Sequence, residues 1–352
     1  MSKQEETSKD GTYISGHEKI LITGGAGYLG SVLVQKLMES KKSARLSYHD
    51  PHYEAKAETP SYYKWQKVTV YDSLMYKQTP LTNYCYRGDF EFIQGDVRDH
   101  AKLRPLVEEA DVIIPLAAIV GFPACEADKK LATQVNKEQI DFIIKHMKPS
   151  CKVIYPNTNS GYGVGETGVY CTEETPLRPI SHYGKTKCLA ETAVTSHGHV
   201  AFRLATVFGV SPRMRLDLLV NDFTYKAYND GYLVLFEWHF NRNYIHVQDV
   251  ALAFIFAIQN YAFMRGSTYN IGLSDANLTK LELTYKIKEH FPGLSIQCDA
   301  IREDPDKRDY IVSNEKIEKL GWRPYYDLDD GIRELKKCFA ILGPSLNQYT
   351  NL

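Results

Sequence analysis

The chain has 352 residues, 43% hydrophobic and 24% charged, with a net charge of −1. That length holds one large α/β domain or two smaller ones, and the composition excludes bulk disorder. The near-neutral balance excludes a broad basic field for nucleic acid or anionic lipid, leaving only local phosphate sites built from a few arginines.

Seven scattered cysteines, an odd number without any Cys-x-x-Cys, argue against a disulfide framework or a thiolate zinc site and fit a reducing cytosol. The polar start, Ser2-Lys3-Gln4-Glu5-Glu6-Thr7, lacks a signal-peptide pattern. The richest late apolar run, residues 251–258, is too short to span a bilayer. The expectation is a cytoplasmic protein with no membrane or nucleic-acid partner.

Residues 1–17 read as a mobile polar tail. The apolar run Lys19-Ile20-Leu21-Ile22-Thr23 leads into Gly24-x-x-Gly27-x-x-Gly30, with an amphipathic segment from Ser31 to about residue 42. Strand, tight turn and helix in this order meet the context that a dinucleotide-binding turn requires. Glycines let the chain reverse and let a pyrophosphate approach the helix N-terminus. Residues 43–66 are rich in aromatics (Tyr48, Tyr53, Tyr62, Tyr63, Trp65), with Pro51 and Pro60 as breakers. They read as an insertion, either a variable surface excursion or a segment packed on a neighbour. His49 and His52 find no third ligand there, so no metal site is expected. The insertion delays the next strand, Val68-Thr69-Val70-Tyr71, and its terminal Asp72 well past the usual spacing of about 20 residues from the glycines.

The alternation then continues. Phe90-Glu91-Phe92-Ile93 is a strand running into Gly95-Asp96-Val97, and a helix follows over about 99–109. Val112-Ile113-Ile114-Pro115-Leu116 is a buried strand followed by Ala117-Ala118, and one long helix is expected over 126–147. Lys152-Val153-Ile154-Tyr155 is a strand, 181–196 a helix, and 200–204 a strand. This predicts a Rossmann-type doubly wound parallel sheet over residues 18–209, with a helix returning at about 247–260. Beyond Gly209 the pattern turns irregular, and a smaller mixed C-terminal substrate lobe is expected over 210–345.

Tyr183 and Lys187 stand one helical turn apart on a predicted helix. An ammonium beside a phenol favours the phenolate, which would make Tyr183 a usable acid or base near neutral pH. Tyr63 and Lys67 share the spacing but fall outside the repeating pattern. Thr158 lies just past a strand end in Pro156-Asn157-Thr158-Asn159-Ser160-Gly161-Tyr162-Gly163, where a hydroxyl can meet a substrate hydroxyl or simply serve a turn.

These motifs resemble the extended short-chain dehydrogenase/reductases that modify nucleotide sugars, the epimerase/dehydratase group. The likeness covers about residues 18–340 and adds Arg242-Asn243-Tyr244-Ile245-His246-Val247, Arg308-Asp309 and Leu320-Gly321-Trp322. It implies NAD as cofactor, held by Gly24, Gly27, Tyr28, Leu29 and Gly30, with Asp72 on the adenosine ribose. Asp96 and Val97 would flank the adenine, and Leu116, Ala117 and Ala118 would line the cofactor. Lys187 would bind the nicotinamide ribose, Tyr183 would be the catalytic base and Thr158 its support. The substrate would be a nucleotide-diphosphate sugar held by Asn159, Ser160, Arg215, Asn221, Arg242 and Arg308.

The family's 4,6-dehydratases carry an Asp-Glu pair after the catalytic Thr; Asn159-Ser160 stands here, so dehydration is not expected. Thr206 replaces an asparagine common in relatives. Within the family the chain looks most like the GDP-heptose 4-dehydrogenases, through residues 156–163, 202–209, 211–223 and 303–310. That likeness implies oxidation of a C4 hydroxyl, a GDP-linked sugar and recycling of NADH by 2-oxoglutarate. A 4-epimerase uses the same triad and stays open, while a non-catalytic NAD-binding module needs a lost Tyr or Lys, and both are present. Relatives pair through two helices, here 126–147 and 181–196, so a homodimer or dimer of dimers is expected.

Overall fold

The computed structural model describes residues 18–40, 65–299, 308–343 and 349–351. The tail at 1–17, nearly all of the 43–66 insertion and the stretch 303–307 lie outside the described residues. Among the described residues seven strands form one sheet, in the order Thr268–Ile271, Val200–Leu204, Lys152–Thr158, Val112–Pro115, Lys19–Thr23, Lys67–Asp72, Phe90–Gln94. All six pairings are parallel.

Strand residues alternate between two cores, as a sheet covered on both faces requires. Ile20, Ile22, Val112 and Ile114 pack on the side of helices Tyr28–Ser40 and Val247–Gln259. Leu21, Ile113, Val153 and Tyr155 face helices His100–Glu109 and His182–Ser196. Sequence order reverses between Lys19–Thr23 and Val112–Pro115, which opens a crevice at their carboxyl ends. Trp65, at the end of the insertion, packs into this core rather than on a neighbour: it is 1% exposed and its Nε1 donates to the Leu37 carbonyl at 3.1 Å.

The single helix expected over 126–147 is instead broken. Phe122–Ala127 ends at Asp128, whose extended backbone starts a new helix, Lys129–Thr133, and whose carboxylate caps Leu131 N at 2.8 Å. A π-helical turn, Gln134–Glu138, then leads into Gln139–His146. The short side chain of Asp128 bonds the backbone locally and so outcompetes helix continuation.

The boundary at residue 209 also needs correction. Thr268–Ile271 lies inside the expected lobe but is the edge strand of the large sheet, pairing with Val200–Leu204. Helix Val247–Gln259 returns to the large sheet as expected, and most of the rest forms the lobe. Thr206–Phe208, Asn241–His246 and Asn277–Thr279 make a three-stranded sheet, and Tyr232–Phe236 pairs with Ser295–Asp299. Helices Leu219–Asn229 and Leu328–Leu342 cover it, with Tyr225 and Phe339 edge to face at 5.2 Å. One apolar core runs from the sheet face into this lobe, so the two parts are packed as one body.

Candidate active site and dinucleotide cradle

A cavity of about 840 Å³ lies along the crevice and reaches from the glycine turn to the C-terminal lobe. Each glycine of the turn is needed for its own reason. Gly24 has φ +72°, and a Cβ there would stand 2.5 Å from Ala117 N. At Gly30 a Cβ would stand 2.5 Å from the Gly24 carbonyl, so helix Tyr28–Ser40 could not pack this closely. At Gly27 a Cβ would meet only Gly24 O, at 3.1 Å, and would otherwise occupy the space a ligand needs.

Asp72 ends its strand beside this turn. Its Oδ2 accepts from Ala26 N at 3.0 Å and its Oδ1 from Leu74 N at 2.8 Å, which leaves lone pairs for ribose hydroxyls. Burial pushes its carboxyl up, opposed by those two backbone N–H groups. Asp96 and Val97 also line the cavity, with Asp96 paired to Arg98 at 2.7 Å. Tyr28, Leu29, Leu116, Ala117 and Ala118 complete this end.

Ser181 caps helix His182–Ser196 by accepting from Gly184 N at 3.1 Å, which fixes Tyr183 and Lys187 on the cavity wall. Asn136, on the π-turn, locks the facing segment. Its Oδ1 accepts from Ile119 N at 2.8 Å, and its Nδ2 donates to Ile119 O at 3.0 Å and to Thr186 Oγ1 at 3.3 Å. Sequence reasoning missed Asn136, which stands among polar neighbours (Gln134, Lys137, Glu138) and carries no local signal.

The electrostatics of the pair differ from the expectation. Burial pushes the Tyr183 phenol up to about 12, with Arg308 and then Arg215 pulling it back. Burial pulls the Lys187 ammonium down to about 7, against its neighbours Cys188, Cys125 and Glu191. The ammonium sits over the Tyr155 ring, 4.2 Å from its centroid, and Tyr155 Oη donates to the Lys187 carbonyl at 3.4 Å. Desolvation therefore outweighs any pull of Lys187 on the phenol.

This has a stability consequence. Because the folded value of Lys187 lies below its ordinary 10.5, the folded protein binds fewer protons than the unfolded chain between about pH 7 and that value. The contribution of Lys187 to stability therefore rises with pH through this window, and its penalty is complete below about pH 7. Lys187→Met is expected to flatten that slope, which thermal melts of cofactor-free protein from about pH 7 to about pH 10 will read.

Thr158 Oγ1 lies 2.9 Å from Ser160 Oγ, and Arg308 Nη1 donates to the same Ser160 hydroxyl. Arg242, 3% exposed with its guanidinium 5.6 Å from the Tyr310 ring centroid, lines the cavity together with Arg308 and Lys280. Thr206 is also on the wall. Arg215 reaches the cavity but forms a two-point ion pair with Asp217.

Two expected substrate contacts are not on the wall. Asn221 is fully buried and its amide is used on the fold: Oδ1 accepts from Gly209 N at 3.0 Å and Nδ2 donates to Arg215 O at 2.8 Å. It pins the start of the lobe, where Tyr28 Oη also donates to Gly209 O at 2.7 Å. Asn159 is 1% exposed within the short turn Asn159–Tyr162, behind Thr158 and Ser160. Tyr76, Arg98, Arg213 and Asp217, all on the wall, were not singled out from sequence.

The profile of the NAD dependent epimerase/dehydratase family matches residues 20–272. The chain belongs to this family. As an NAD-dependent epimerase/dehydratase-family enzyme, it is 28% identical over 324 residues to the low-salt glycan biosynthesis protein Agl12 of Haloferax volcanii, covering 89% of this chain and 96% of that protein. It is 26% identical to dTDP-D-glucose 4,6-dehydratase of Mus musculus, over 95% of this chain and 91% of the relative. Among solved structures, UDP-glucuronic acid 4-epimerase from Bacillus cereus, in complex with UDP-glucuronic acid and NAD, superposes with a TM-score of 0.76 at 22% identity, over 92% of this chain and 100% of that one. The family's cofactor is NAD, and the open face of Gly27, the free lone pairs of Asp72 and the glycine-enforced close packing fit it. Among the described residues no helix is long and apolar enough to cross a membrane.

Proposed function

We propose that this family member oxidises the C4 hydroxyl of a nucleotide sugar, a GDP-linked heptose, to the ketone, as a step toward a capsule or surface polysaccharide precursor. The observation that carries the reading is one cavity wall holding Tyr183, Lys187 and Thr158, with Asn159-Ser160 where an acid–base pair for dehydration would stand. When bound, NAD supplies the hydride acceptor. Tyr183 takes the hydroxyl proton, Thr158 orients that hydroxyl, and Lys187 holds the nicotinamide ribose. Arg242 and Arg308 suit the diphosphate, because a planar guanidinium matches phosphate oxygens in two-point geometry.

The choice of a GDP-heptose rests on the likeness of residues 156–163, 202–209, 211–223 and 303–310 to the GDP-heptose 4-dehydrogenases. The test is a panel of GDP-, UDP- and dTDP-sugars, following absorbance of protein-bound NADH with and without 2-oxoglutarate. The expected result is NADH formation with a GDP-sugar and its decay on adding the 2-oxoacid. A response confined to UDP- or dTDP-sugars contradicts the GDP assignment.

A further inference from the structure

The C-terminal lobe brings a cation against the glycine turn that no motif announced. Arg213 is 2% exposed and lines the cavity. Its Nη2 is buried and finds no hydrogen-bond partner among the described residues. Its neighbour Arg215 is neutralised by Asp217, so the two arginines are in different states. A desolvated guanidinium nitrogen left unsatisfied costs free energy unless a ligand completes it.

The backbone fixes where this group stands. Arg213 N donates to Ser211 Oγ at 3.2 Å and lies 3.4 Å from Ser31 Oγ, in the first turn of helix Tyr28–Ser40. Ser211 Oγ donates in turn to Tyr28 O at 2.7 Å. Arg213 is thus tied to the end of the helix that the glycine turn opens, where N–H groups and the helix dipole favour an anion. From the other side, the guanidinium lies over the Tyr76 ring, 4.5 Å from its centroid. Tyr76 is carried by the turn after Asp72, in which Leu74 and Lys77 hold φ values of +53° and +58°. Residues other than glycine seldom adopt such a conformation, and they persist where surrounding contacts enforce it. Tyr76 and Arg213 together reach over the cradle from opposite lobes. Asp72 and Asp217 are within electrostatic reach of Arg213, yet burial still pulls its guanidinium down.

We propose that Arg213 binds the pyrophosphate of the dinucleotide from the lobe opposite the glycine turn, so that both lobes hold one cofactor. The glycine turn contributes backbone N–H groups, and Arg213 contributes a full positive charge tied to that helix end. The diphosphate of the sugar nucleotide has the same chemistry, but Arg308, beside Ser160, and Arg242, beside Tyr310, are available for it.

The test is binding of NADH, by nucleotide fluorescence, to cofactor-stripped wild type, Arg213→Lys and Arg213→Met, with GDP binding measured in parallel. The expected result is NADH weakened about tenfold or more in Arg213→Met and less in Arg213→Lys, from loss of charge-assisted hydrogen bonds. GDP affinity should stay within about twofold of wild type. The melting temperature of the cofactor-free protein should hold or rise in Arg213→Met, because the variant removes an unpartnered buried charge. NADH affinity within about twofold of wild type in Arg213→Met overturns the proposal. Loss of GDP rather than NADH binding overturns it too, moving Arg213 to the sugar nucleotide. A loss of NADH binding matched by a fall in the cofactor-free melting temperature also overturns it, because that pattern marks a structural role.

Discussion

Tyr183→Phe is expected to lower turnover by about two to four orders of magnitude, the usual worth of a positioned acid or base. The same variant should keep NADH and sugar-nucleotide affinity within a few-fold of wild type. The half-buried phenol ring packs against the second core, and the substitution removes one oxygen without opening a void. Its hydroxyl is held in the neutral form by burial, with Arg308 and Arg215 as the opposing charges. A substrate diphosphate that engages Arg308 would weaken that opposition, so activation of Tyr183 depends on what else enters the cavity. Steady-state kinetics with separate binding measurements check this. A rate within tenfold of wild type would remove Tyr183 from the chemistry.

The second large effect is on stability. Glu191 and Arg203 form an ion pair at 2.6 Å, with side chains 6% and 7% exposed. Arg203 is further held by Tyr162 Oη at 3.1 Å and Glu173 O at 3.0 Å, and Tyr162 Oη donates to Asn270 Oδ1 at 2.6 Å. Asn157 Nδ2 donates to Glu191, which joins this network to the strand that presents Thr158. Glu191→Gln leaves the Arg203 guanidinium buried without a counter-charge and is expected to cost about 3–5 kcal/mol in chemical denaturation. The double replacement Glu191→Leu with Arg203→Met should recover most of that loss, because breaking a buried pair costs more than replacing it by packed apolar side chains. A loss below about 1 kcal/mol in the single variant would contradict this account of the network.

The sheet and the glycine turn were legible because their signals are local. Strand runs such as Val112-Ile113-Ile114-Pro115 are apolar throughout, as a sheet buried on both faces demands, and Gly24, Gly27 and Gly30 sit between strand and helix. Tyr183 and Lys187 could be paired by helical spacing together with their place in the strand–helix alternation, which Tyr63 and Lys67 lack. What sequence left out depends on distant partners. Arg213 becomes notable only when Ser31 and Tyr76 surround it, and the Glu191–Arg203 pair joins a helix to the next strand. Thr268–Ile271 joins the large sheet through Val200–Leu204, a partner its own residues do not specify. Asn221 was a substrate contact only by the family resemblance, yet its amide is used on the fold, by Gly209 and Arg215 backbone and the Tyr28 hydroxyl. The break at Asp128 was readable in principle, since Asp before a helical run is a capping signal.

The proposed function requires that the chain release a ketone rather than an inverted alcohol. A single turnover of the NAD-loaded protein with a GDP-heptose, quenched and resolved by mass and NMR, tests it most directly. The expected result is one equivalent of 4-keto sugar with one equivalent of protein-bound NADH. The C4-inverted alcohol with NAD returned to its oxidised form would contradict it and make the enzyme a 4-epimerase.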